Sequence, residues 1–328
     1  INITLAKDIT LTEVWTPIGN SSNPYTGTFD GNAHAISGLT IDQSGTRRVG
    51  LIGYIGLGGA VKNLKLTNVN VSGYMSVGAV AGWSNGTISG CSVSGNIKGS
   101  QSVGGVVGNA NGNVTDCSVE GMVIGTNKIS QAGGIVGVAD KTHVTECHSS
   151  AIVEGISYVG GIVGMGTTGS NITACYATGE VKATIASGEA YAGGVVGRIT
   201  NYATVTACYA TGNVTATQGR NAGGVVGASE GSTITACYHA TGTVSGSARV
   251  GGVLGYNNAG TVTACYWQNY QSQGIGENQV GTAETTKVED NWAAAIDKMN
   301  EALAIQNINW RYVQADGSSL PPVLKTAI

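Results

Sequence analysis

From residue 46 to about residue 270, apolar residues come in short bursts cut by glycine, asparagine or serine, and never at a helical spacing. Around each cysteine the order is β-branched, threonine, variable, cysteine, as in Val114-Thr115-Asp116-Cys117 and Ile234-Thr235-Ala236-Cys237. A short alternating stretch follows, then a glycine or alanine and another β-branched residue such as Ile97, Val123, Val181 or Val214. This predicts three short strands per unit, with corners at glycine or asparagine. The unit repeats. Its clearest mark is a Gly-apolar-apolar-Gly tetrad ending at Gly53, Gly82, Gly108, Gly137, Gly164, Gly197, Gly227 and Gly255, at intervals of 26 to 33 residues.

A unit of about 28 residues cannot bury its own inner face, so the units must stack and share one core. The expected fold is all-β: a right-handed parallel β-solenoid of about 8–10 coils. At roughly 4.8 Å per coil it makes a rod about 40–50 Å long. All seven cysteines, Cys91, Cys117, Cys147, Cys175, Cys208, Cys237 and Cys265, share one phase, and Leu64 takes their place in the earliest copy. Leucine and cysteine have burial in common, not redox or metal chemistry. The residues on either side of each cysteine are largely polar in the early copies, so alternation points the Leu/Cys phase inward as a structural ladder.

Composition supports a packed β protein. The 328 residues include 53 glycines, one phenylalanine and four prolines, and only 11% are charged. The Val, Ile and Thr content argues against disorder, and the glycines show no collagen period. A net charge of −3 carries no footprint for nucleic acid. No apolar run approaches the roughly 20 residues of a membrane helix, so the chain is not expected to be membrane-embedded.

The in-phase tetrads, behind the segment Trp15–Ile41, resemble the GLUG motif, a repeat of bacterial cell-surface and secreted proteins. The resemblance covers about residues 1–270, although the second copy departs from it as Ala79-Val80-Ala81-Gly82. It implies an extracellular or cell-surface bacterial solenoid, of the kind found in adhesin-like proteins or beside peptidases that cleave immunoglobulin A. A fold does not by itself confer an activity. The function expected is a non-catalytic structural or adhesion module, monomeric and without a cofactor. It would bind a host or cell-surface protein or glycan along its flank. The alternative is a carbohydrate-binding or polysaccharide-degrading β-helix, a lyase or glycoside hydrolase.

Several motifs resemble chemistry. An odd number of thiols on stacked parallel strands suits neither relaxed disulfides nor a zinc site. Gly82-Trp83-Ser84-Asn85-Gly86 and Gly227-Ala228-Ser229-Glu230-Gly231 match a nucleophile elbow, but both fall at the corner after the tetrad with no helix following. Asp116 and Glu146 share the phase before the cysteine on neighbouring coils, with Glu120 and His148 on the same face. Carboxylates so placed suit an ion, with Asp116, Glu120 and Glu146 as ligands, or a glycosidase pair. Tyr176, Tyr209, Tyr238 and Tyr266 follow four consecutive cysteines, and Trp267 extends them. An outward aromatic stripe of this kind is the best candidate for a binding surface.

The ends differ from the middle. Residues 1–45 read as lead-in coils and 46–270 as the repeats. Residues 271–328 read as a linker and C-terminal cap. Trp292, Ile296, Met299 and Leu303 predict a helix near 291–303 with Asp290 as N-cap, its apolar face covering the last coil.

Overall fold

The computed structural model describes residues 1–184, 190–218, 221–268, 271–316 and 320–327. The chain is an all-β parallel solenoid of about nine turns with coils of ~28 residues and one small helix near the C-terminus. The strand before each cysteine shows the stacking. Phe29, Val61, Ile88, Val114, Val144, Ile172, Val205, Ile234 and Val262 are successive parallel partners, all buried in one core.

The coil is more finely broken than the three strands expected. One turn runs through His143–Thr145, His148–Ser149, Ile152–Gly155, Tyr158–Gly160 and Val163–Thr167. Two kinds of corner cause this. At the tetrad, backbone passes against backbone. A Cβ on Gly133 would lie 2.0 Å from the Val136 carbonyl oxygen, and one on Gly134 would lie 2.0 Å from that of Gly161 on the next coil. A side chain is crowded there, and only Ala79 of the second copy replaces the first glycine of the tetrad, which explains why so bland a motif repeats.

The second corner lies between threonine and cysteine. Asn63, Gly90, Asp116, Glu146, Ala174, Ala207, Ala236 and Ala264 are all left-handed, with φ between 49° and 60°. The chain therefore turns at this phase instead of alternating through it. The turn lets each cysteine Sγ donate to the carbonyl two residues back, that of Ser89 at 3.4 Å for Cys91 and of a threonine for the others, at 3.2 Å for Cys117, Cys208 and Cys237 and 3.3 Å for Cys147, Cys175 and Cys265. The seven thiols are free and buried with Leu64. Burial pushes the Cys147, Cys175 and Cys237 thiols well up, so they stay protonated.

At the start of the chain, bridges Ile3↔Phe29, Ile9↔Ile36, Val14↔Thr40, Ile18↔Ile52 and Tyr25↔Ile55 lay an irregular first coil on the repeats. At the other end the strand Ile275–Lys287 is largely exposed. It sets Asn278, Thr285 and Lys287 opposite Asn257, Cys265 and Trp267. Polar residues at inward phases blunt an edge that would otherwise invite further pairing.

The helix forms where its spacing predicts, but its apolar face covers the flank of the last coils and not their open end. Helix α1 (Ala293–Ile305) and the antiparallel pair Trp310–Val313 and Val323–Thr326 follow that strand. Trp292, Met299, Leu303 and Tyr312 pack sideways on Ala207, Ala236, Ala264, Tyr238 and Tyr266, along the flank of the last coils. Trp292, not Asp290, occupies the N-cap position, and the Asn291 carboxamide accepts from the Ala293 N–H at 3.2 Å. Among the described residues no helix is long and apolar enough to cross a membrane.

Candidate functional site

The phase after the cysteine runs down one flank. Lys65, Ser92, Ser118, His148, Tyr176, Tyr209, Tyr238 and Tyr266 are cross-strand neighbours on successive coils. Four of their rings form a stack. Centroids are 5.1 Å apart for His148–Tyr176, 5.0 Å for Tyr176–Tyr209 and 4.9 Å for Tyr209–Tyr238, with interplanar angles of 7°, 4° and 2°. Parallel strands in register impose this spacing, since each ring leaves the backbone from the same phase.

The stripe is not an open binding surface along its length. Tyr238 is fully buried, its ring tilted against Trp292 and edge-on to Tyr312, and its hydroxyl donates to the Pro322 carbonyl. Tyr266 is buried beneath the same cap. Tyr312 donates to the Ala236 carbonyl at 2.8 Å, and Trp292 Nε1 donates to Gln268 Oε1 at 3.1 Å. Trp267 does not extend the stripe at all. One residue beyond an outward position, it turns into the core over Gly252, whose Cβ would lie 2.3 Å from the indole. Only Tyr176 and Tyr209 remain partly exposed, and Tyr209 sits deep enough for burial to push its phenol up.

The carboxylates do not form an ion site. Asp116 and Glu146 are exposed at left-handed corners, whereas Glu120 projects from the following strand. Asp116 borders a depression with Asn32, Asn63 and Gly90; Glu120 lines the adjoining groove with His148. Among the described residues no three His, Cys, Asp or Glu side chains group closely enough to hold a metal ion. The corner conformation separates what simple strand alternation would have placed on one face. Ser84 and Ser229 of the elbow-like motifs are buried, and Ser84 donates to the Gly86 carbonyl at 3.1 Å.

What the flank does present is a groove of about 400 Å³ ahead of the ring stack, lined by Lys65, Thr67, Ser92, Ser94, Ser118, Glu120, His148 and Ser150 over Leu66, Val93 and Val119. A second, polar depression of about 520 Å³ lies among Tyr158, Tyr191, Arg198, Glu230, Arg249 and Tyr256. Arg198 grips Glu230 through Nε at 3.0 Å and Nη2 at 2.7 and 2.8 Å, beside the stacked Tyr158–Tyr191 pair. Arg249 meets Glu277 at 2.6 Å and lies 4.2 Å from the Tyr256 ring centroid. Sequence reading missed this second cluster because its residues occupy the variable phases beside the tetrad and recur in no pattern.

The profile of the GLUG motif matches residues 99–124 and 188–215. Halomucin of Haloquadratum walsbyi is 42% identical over 80 residues, covering 24% of this chain and 1% of that protein. A protein named "Putative Gly-rich membrane protein" of Evansella cellulosilytica is 37% identical over 99 residues, covering 27% of this chain and 12% of its own length. The chain thus spans a small fraction of these relatives. A crystal structure titled as a "putative immunoglobulin A1 protease from Bacteroides ovatus" aligns over 99% of this chain and 86% of that one, at 18% identity and a TM-score of 0.44.

Proposed function

We propose, from the premise that the coils of this chain carry the GLUG motif, that it serves as a non-catalytic structural and interaction module of a bacterial surface or secreted protein. One observation carries this reading. The repeated residues are consumed by stacking: glycines at backbone contacts, thiols sealed inside, and β-branched residues in a single column. The remaining freedom lies in the outward phases, which vary from coil to coil on a rigid rod. That division suits a scaffold that displays a surface to host or cell-surface ligands. The names of the two relatives, "Halomucin" and "Putative Gly-rich membrane protein", agree with an extracellular or cell-surface location.

The test combines binding and turnover. The chain, immobilised, is expected to capture cell-surface proteins or glycans saturably and to leave a polysaccharide panel undegraded. Release of new reducing or unsaturated ends, abolished by Glu120→Ala, would establish the polysaccharide-degrading alternative instead.

A further inference from the structure

We propose that the groove lined by Lys65, Ser92, Ser94, Ser118, Glu120 and His148 binds a neutral oligosaccharide, with the free face of the His148 ring as its stacking platform. The inference deepens the interaction reading above and rests on it.

Four observations carry it. First, Lys65, Ser92, Ser118 and His148 are consecutive cross-strand neighbours, so the groove runs along the rod for about 14 Å at roughly 4.8 Å per coil. Its volume of about 400 Å³ is that of a ligand site. Second, none of these six side chains has a hydrogen bond or ion pair to another described residue, although each carries a donor or acceptor. An ammonium, three hydroxyls, a carboxylate and an imidazole, all open to solvent, line the groove above buried Leu66, Val93 and Val119. Third, one face of His148 is stacked on Tyr176, while the neighbour on its other side is Ser118, too short to cover a ring. A flat apolar sugar face fits that gap as the next member of the stack. Fourth, the lining holds one cation, Lys65, which also lies within Coulombic reach of Asp8, and one carboxylate, Glu120, two coils away, so it carries no excess charge and favours a hydroxyl-rich ligand over an anion or a cation.

The walls are preorganised. Gly95 and Gly121, with φ of 145° and 107°, put a bend in the strands just beyond Ser94 and Glu120. A Cβ on Gly95 would stand 2.2 Å from the Val69 carbonyl oxygen, and one on Gly121 would stand 2.1 Å from that of Gly95. The Arg198 depression is a weaker candidate, because a ligand there would have to displace the bidentate Glu230 carboxylate.

The experiment titrates cellohexaose, xylohexaose, mannohexaose and trigalacturonate into the full chain by calorimetry. Saturable binding of a neutral hexaose is expected. His148→Ala and Glu120→Gln should each weaken it about tenfold or more, equivalent to about 1.4 kcal/mol. Ser118→Trp, which fills the groove from an outward position, should abolish it, and Tyr256→Ala elsewhere should leave it unchanged. Unaltered melting temperatures show that the variants remain folded. Three results would overturn the proposal: no binding of any neutral hexaose, preference for trigalacturonate, or affinity indifferent to His148 and Ser118. If the chain still captures a cell-surface protein after such a result, the module reading stands and only the sugar site falls.

Discussion

Single residues in this protein are constrained mostly by what lies one coil away. His239 occupies the inward phase held by Ala177 and Ala210 on the two preceding coils. It fits because Gly224 leaves room: a Cβ there would lie 2.5 Å from the His239 Cβ. Its Nε2 lies 3.0 Å from the Gly212 carbonyl, yet burial dominates and lowers its pKa from 6.5 to about 4. The unfolded chain takes up a proton near pH 6.5, whereas the native state resists until about pH 4. The stability from keeping His239 neutral is therefore complete above pH 6.5 and falls away as the pH drops towards 4, by about 3 kcal/mol. Urea midpoints measured from pH 7.5 to 4 should fall more steeply for the wild type than for His239→Ala; parallel curves would refute this. Glu146 tests the corner phase in the same way. It holds φ 58° with an exposed side chain, so Glu146→Gly should raise stability by about 1 kcal/mol in the same assay.

Among elements, the cap is the one whose position has consequences. α1 and its hairpin bury the C-terminal part of a flank that otherwise continues into the groove, so one surface phase is divided between intramolecular packing and open polar chemistry. Trp292 is the centre of that contact, fully buried against Tyr238. Trp292→Ala should cost about 3–5 kcal/mol of cap docking. Limited proteolysis should then cut residues 288–316 while the coils stay resistant. A variant with an unchanged cleavage pattern would show that the cap is held elsewhere.

Across the whole molecule, the solenoid behaves as a stack of near-equivalent layers, each touching its neighbours only. Removing residues 118–147 joins Cys117 to His148, the same phase one coil on, and keeps every remaining ladder in register. The shortened chain should fold, lose about 5 Å of rod length in small-angle scattering, and retain its thiols inaccessible until denaturation. Collapse to an aggregated state would mean that this coil is indispensable to folding. The same deletion removes Ser118 and Glu120, so it should also abolish oligosaccharide binding.

The periodic features of this protein were legible without coordinates. Coil length, parallel stacking and the inward phase of Leu64 and the seven cysteines all follow from spacing, because a repeat must satisfy the same packing problem at each turn. The corner before each cysteine was hidden, since Asn, Gly, Asp, Glu and Ala at one phase spell no familiar turn until their shared left-handed backbone is seen. The fate of the tyrosines was also hidden, although its trace was present. From Ala174 and Tyr176 onward, polar residues give way to Ala before the cysteine and Tyr after it. Local pattern can show that a phase points outward, but not whether a distant segment returns to cover it. Only the tertiary structure decided that, because docking the cap joins Trp292, Met299 and Tyr312 to Ala207 and Tyr238 across long stretches of chain with no period to announce the meeting.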